Sequence, residues 1–162
     1  MSVWGVDPSV SHPAIGEWPS RNTWELKVVG AGAERLAALA DAIAFFAHGM
    51  VPDDLEAVFV ERPVGRVPSP ELVMATGVIE ASIHKALADK FAHPVSIFRL
   101  SPGEWKKAAG LKGNAKKFEV WNWALFNQPK DDISQDEADA LCIAYAGHNL
   151  LAHSTEEEPH AA

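Results

Sequence analysis

The 162 residues include 48% hydrophobic and 22% charged side chains with 11 Gly and 11 Pro, the make-up of one packed globular domain rather than of a disordered or fibrous chain. The single cysteine excludes a disulfide framework and a multi-cysteine zinc site, no basic segment leads into an apolar signal, and no run of about 18 apolar residues offers a membrane span. An intracellular protein that does not cross a membrane is expected.

The net charge of −8 opposes approach to phosphate, but its distribution changes that reading. Arg99, Lys106, Lys107, Lys112, Lys116 and Lys117 stand against Glu104 alone, so this segment carries +5 and the rest of the chain −13. Glu156, Glu157 and Glu158 followed by Pro159, without apolar periodicity, predict a disordered acidic tail over 154–162 after a single domain over 1–153.

In chain order, Val3-Trp4-Gly5-Val6 reads as a buried strand with Asp7 at its end, where Pro8 stops regular pairing. Residues 12–17 and 23–29 read as two more strands separated by the turn formers Pro19, Ser20 and Asn22, an antiparallel meander. Leu36, Leu39, Ala40, Ile43, Phe46 and Ala47 recur at helical spacing over 33–48, and Gly49 ends the run. Residues 55–61 form a second buried-type strand ending in Glu61, followed by a proline-rich loop. A long helix over 71–91, a strand over 95–100 and a short helix opened by Ser101-Pro102 come next. The spacing predicts a helix over 114–126 with Phe118, Trp121 and Leu125 on its apolar face, and a last helix over 134–151 started by a Ser134/Glu137 capping box.

Four acids stand where an acid is locally odd: Asp7 and Glu61 at the ends of buried strands, Asp136 and Asp139 at the start of an apolar helix. Parallel neighbouring strands would place Asp7 beside Glu61, and the last helix would close the cluster with its i, i+3 pair. Packed carboxylates repel and raise one another's pKa unless cations bind, and hard oxygen ligands select Mg²⁺ or Mn²⁺. Each acid also has a plainer reading: Asp7 as a turn former before Pro8, Glu61 paired with Arg62 or Arg66, and Asp136 and Asp139 complementing a helix dipole. The lysines read either as a solvated helix face or, with Arg62 and Arg66, as contacts to a phosphate backbone. Trp105, Trp121 and Trp123 are candidates for stacking on unpaired bases, with Trp121 and its apolar neighbours read as core. The seven histidines show no convergent metal spacing and none enters the site; Cys142 reads as a buried, inert thiol.

Together, Gly5-Val6-Asp7-Pro8-Ser9, Val58-Phe59-Val60-Glu61, the helix with Leu72, Ala75, Gly77 and Ile79, the segment from Ser101-Pro102 through Lys106-Lys107 to Gly110 and Lys117, and Asp136-Glu137-Ala138-Asp139-Ala140-Leu141 occur in the order of a known family. The chain resembles the RuvC-like Holliday-junction resolvases of the RNase H-like superfamily, and the loop after Glu61, which has no aromatic in Arg62-Pro63-Val64-Gly65-Arg66, resembles phage-encoded relatives.

The resemblance implies an α/β fold with a mixed five-stranded sheet, three antiparallel strands then two parallel ones, flanked by helices. It implies metal-dependent hydrolysis of DNA phosphodiesters that resolves four-way junctions by paired symmetric nicks, with Asp7, Glu61, Asp136 and Asp139 as the catalytic and metal-binding tetrad for two Mg²⁺, Mn²⁺ substituting. Lys106 or Lys107, and Lys116 or Lys117, would approach the scissile phosphate, with Arg62, Arg66 and Lys112 completing the DNA contacts. A homodimer through the helix 71–91, using Leu72, Val73, Ile79 and Ile83, and a cytoplasmic setting in a bacterial or phage-infected cell are implied as well; no branch-migration helicase is specified. Two alternatives stand beside this reading: a broader branched-DNA or RNA–DNA hybrid nuclease of the same fold, and a junction-binding protein that does not cut.

Overall fold

The computed structural model describes residues 1–64, 68–128, 130 and 132–156, so Arg66 lies outside the described residues. The chain forms strands β1 (Ser2–Asp7), β2 (Ala14–Trp18) and β3 (Thr23–Glu25), helix α1 (Gly32–Met50), strand β4 (Leu55–Glu61), helix α2 (Pro70–Lys90), strand β5 (Ser96–Leu100), and helices α3 (Pro102–Ala108), α4 (Lys117–Asn127) and α5 (Gln135–Glu156). The sheet order is β3-β2-β1-β4-β5. β1, β2 and β3 are antiparallel, whereas β4 runs parallel to both β1 and β5, as expected from the sequence. No helix among the described residues is long and apolar enough to cross a membrane.

Side chains alternate across a strand, so β1 serves two cores at once. Trp4 and Val6 pack with Val58 and Val60 of β4 against Leu39, Ile43 and Phe46 of α1 and Ile79, Ile83 and Leu87 of α2. On the opposite face Val3, Ala57 and Phe59 meet Trp105, Val120, Cys142, Ile143 and Ala146. Asp7 and Glu61 continue this second series at the carboxyl ends of their strands. The parallel register pairs Val6 with Val60, so the two acids come one step later on neighbouring strands.

Helix α5 lies directly on the sheet at two glycines. A Cβ at Gly5 would stand 2.2 Å from the Ala144 amide nitrogen and 2.3 Å from the Ala140 carbonyl oxygen, and one at Gly16 would stand 2.5 Å from the Leu141 nitrogen. Only residues without a side chain allow this approach. It fixes the first turns of α5, with Asp136 and Asp139, over the end of β1.

Four expectations are corrected. The third strand stops at Glu25 and the second begins at Ala14, because Pro13 accepts from the Leu26 amide (2.9 Å) but has no N–H to return the bond. The helix expected from residue 114 begins at Lys117, after a turn in which the Ala115 amide donates to the Lys112 carbonyl at 2.8 Å. α5 runs on through Glu156, so 154–156 continue the helix; 157–162 lie outside the described residues. Ile79 and Ile83 are fully buried in the chain's own core, leaving Leu72 partly and Val73 half exposed on the outer side of α2.

Gly5→Ala should lower stability by about 3 kcal/mol or more, the upper range of overpacking, since the clash is with helix backbone rather than a flexible side chain. Urea denaturation checks this; a loss below about 1 kcal/mol would mean that α5 can retreat from the sheet freely.

Candidate active site

Four carboxylates converge beyond the carboxyl ends of β1 and β4. The charge of Asp7 feels Glu61, Asp139 and Asp136, in that order, and burial together with these neighbours raises its pKa well above the ordinary carboxylate value. Burial raises Glu61 as well, although the Trp105 indole N–H donates to its Oε2 at 2.7 Å and favours the charged form. Burial raises Asp139, opposed by an amide hydrogen bond from Gln135 to its Oδ1 at 3.0 Å. Asp136, also raised by burial, occupies the rim, where Glu25 repels it and Lys117 and His12 favour its ionised form.

The lysines sort themselves by the same measure. Lys117, at the start of α4, favours the ionised form of all four acids, and Lys106 does so for Glu61 and Asp139. Lys106 is held by donating to the Ala115 carbonyl at 2.9 Å and lies 5.1 Å from the Trp105 ring centroid. Lys107, Lys112 and Lys116 are exposed along the outside of the same segment. Of these lysines, Lys106 and Lys117 are the ones whose charge reaches the carboxylates. Arg62 is exposed on the adjoining loop and pairs with Glu104 at 3.8 Å, and Arg99 is engaged by Glu80.

Glu137 points away from the cluster. Its Oε2 accepts from the Ser134 amide at 3.0 Å while its own amide donates to Ser134 Oγ at 3.1 Å, the capping box expected from the sequence. Its Oε1 accepts from Thr23 Oγ1 at 2.9 Å and from Lys130 Nζ at 3.3 Å, and Gln128 donates to the same threonine at 2.8 Å. This network ties the start of α5 to β3.

Trp105 is buried rather than available for stacking, and its hydrogen bond to Glu61 gives it a positioning part that its spacing did not signal. His12 and Glu25, neither of them in the expected site, border Asp136: His12 just precedes β2, the neighbour of β1, and Glu25 ends β3, the neighbour of β2. Cys142 is buried, and burial pushes its thiol up.

Among the described residues no group of three or more acidic, histidine or cysteine side chains is placed so that it could hold a metal ion. The donor set nevertheless fits a hard divalent cation: all-oxygen, acidic and held in raised-pKa states that a cation would relieve.

No protein-family model and no curated protein matches the sequence. The fold does have solved counterparts. Thermus thermophilus RuvC superposes with a TM-score of 0.68 at 23% identity over 96% of this chain and 98% of its own. The T. thermophilus RuvC in complex with Holliday junction substrate gives 0.70 at 22% identity, covering 96% and 97%. The yeast mitochondrial Holliday junction resolvase gives 0.56 at 14% identity, covering 96% and 80%. The chain has the RuvC fold over nearly its whole length.

A carboxylate whose folded pKa is raised contributes most to stability below its unfolded value, near 4, and loses that contribution as pH rises through its folded value. Asp7→Asn should therefore raise Tm at pH 7 in chelator, by about 2–4 °C for each kcal/mol of repulsion removed, and the advantage should vanish below about pH 4. Calorimetry across that range checks it; equal Tm values at pH 7 would show that Asp7 is not destabilised by its neighbours.

Proposed function

We propose that this chain is a RuvC-like, structure-specific endonuclease that resolves four-way DNA junctions by divalent-metal-dependent hydrolysis of phosphodiester bonds. The observation that carries the reading is the cluster of four mutually repelling carboxylates from β1, β4 and α5 with two lysines beside it. A buried repulsion of this kind is expensive in a protein without a cation to hold.

Asp7, Glu61, Asp136 and Asp139 would hold Mg²⁺ or Mn²⁺, two ions in the full site, and the metal supplies Lewis acidity toward the phosphate and a more acidic water. Trp105 orients Glu61 through its indole hydrogen bond, which favours the ionised form against the effect of burial. Lys106 and Lys117 stabilise the negative charge that builds on the phosphate oxygens as the scissile bond breaks. Lys107, Lys112, Lys116 and Arg62, together with Arg66, hold the flanking backbone in register without reading sequence.

Resolution of a junction needs two matched nicks, so the active form in this reading is a two-fold homodimer. The outer side of α2 offers Val73 and Met74, half exposed, beside Gly77, Ala81 and His84, with Ile97 and Arg99 of β5 at their edge. Ile79 and Ile83 take no part in that contact.

End-labelled four-way junction incubated with Mg²⁺ or Mn²⁺ should give paired symmetric nicks. Asp7→Asn should abolish them with junction binding retained, and Lys106→Ala and Lys117→Ala should each slow cleavage about a hundredfold, the size of one lost oxyanion donor. Lys107→Ala should mainly reduce the salt dependence of binding. Tight binding without nicks under either metal would instead identify a junction-binding protein, and equal cutting of flaps or RNA–DNA hybrids a broader nuclease.

A further inference from the structure

Helix α4 carries an apolar stripe on the wrong side for a core. Its buried face is Val120 and Ala124, whereas Phe118 is 63% exposed, Trp121 37% exposed and Leu125 only partly covered. The i, i+3, i+7 spacing of these three residues puts them in one row along the helix. The Trp121 indole N–H donates to the Ile133 carbonyl at 3.0 Å, which holds the partly exposed ring in one orientation.

Two features say what would cover this row. First, Lys117 directly precedes Phe118 and lies one turn before Trp121, and it is the lysine whose charge reaches all four carboxylates. A phosphate held at the carboxylates beside Lys117 therefore delivers its next nucleotides to the row. Second, Glu119, the only acid in α4, accepts from the Lys116 amide at 2.6 Å and lies on another side of the helix from the row. Exposed Lys116 adds positive charge at the same end. Aromatic faces beside backbone-binding cations are how single strands are held, because every base has a π-face.

We propose that Phe118 and Trp121, bordered by Leu125, form a stacking platform for unpaired bases at the branch point, one strand of which passes the carboxylates. This rests on the DNA-cleaving reading for the position of the phosphate. Phe118 is a specificity-determining residue in this arrangement, selecting DNA with bases free to leave the stack.

The test uses the full chain carrying Asp7→Asn, which binds without cutting, and a four-way junction with 2-aminopurine next to the branch point. Binding should change the probe's fluorescence; Phe118→Ala and Phe118→Leu should remove the change and weaken junction binding about tenfold, within the range of one lost base stack, while Phe118→Tyr restores both. Binding to linear duplex should stay unchanged, which also reports that the exposed substitution leaves the fold intact. The platform is overturned if Phe118→Ala retains the full fluorescence change, if the unsubstituted protein gives none, or if duplex and junction binding fall together. Cleavage by the chain with Asp7 intact is scored separately: a normal Phe118 response with no cleavage under Mg²⁺ or Mn²⁺ sinks the nuclease reading and keeps the platform, whereas normal cleavage with an unaltered probe response sinks the platform alone.

Discussion

The backbone of α5 touches the backbone of the sheet at Gly5 and Gly16, and the rest of the site depends on that contact. A helix packed on a sheet through ordinary side chains stands about 10 Å away, too far for short aspartates on its first turns to approach a strand end. With the intervening Cβ atoms removed, Asp136 and Asp139 reach the neighbourhood of Asp7 although they come from elements at opposite ends of the chain. Gly147 continues the same accommodation further along, where the Phe59 ring fills the place a side chain would take.

What the contact brings together is unfavourable by itself. Four carboxylates with raised pKa values add free energy to the fold, offset only in part by Lys106, Lys117 and the indole of Trp105. The surrounding apolar layers on both faces of β1 supply the stability that tolerates this strain. The capping network of Ser134, Glu137, Thr23 and Lys130 holds the helix start in place independently of the acids, so the cluster does not simply spring open.

That the four acids gather at one end of the sheet, and the order of the sheet itself, were legible because they follow from local signals: an acid ending a buried strand, and an acidic pair at i, i+3 opening an apolar helix. Which lysine faces the acids was not, since Lys106 is aimed by the Ala115 carbonyl, a contact set by the turn between α3 and α4 rather than by periodicity. Trp105, a candidate for stacking, is buried, and Trp121, expected in the core, is partly exposed. Both are tryptophans on helices, but α3 turns Trp105 under β4 while α4 takes Val120 and Ala124 fully inward and leaves Phe118 and Trp121 exposed, with Leu125 at the edge of the core. Hydrophobic spacing identifies an apolar face; it does not say whether the partner of that face belongs to the same chain. The end of the third strand was missed for a smaller reason, the missing amide of Pro13 on the neighbouring strand.

Because β1 opens the described chain and α5 closes it, the glycine contact also imposes an order in time. During synthesis, β1, β2 and β4 can pair and cover one face with α1 and α2 while the other face still lacks its last helix. Asp7 and Glu61 then lie side by side without Asp136 or Asp139, and the surface around Val3 and Phe59 stays uncovered. A ribosome-bound or prematurely ended chain is thus a half-molecule with two of the four clustered carboxylates. The full set of four carboxylates is assembled in a single event, when α5 settles on Gly5 and Gly16, and a chain that cannot finish that step carries an open sheet.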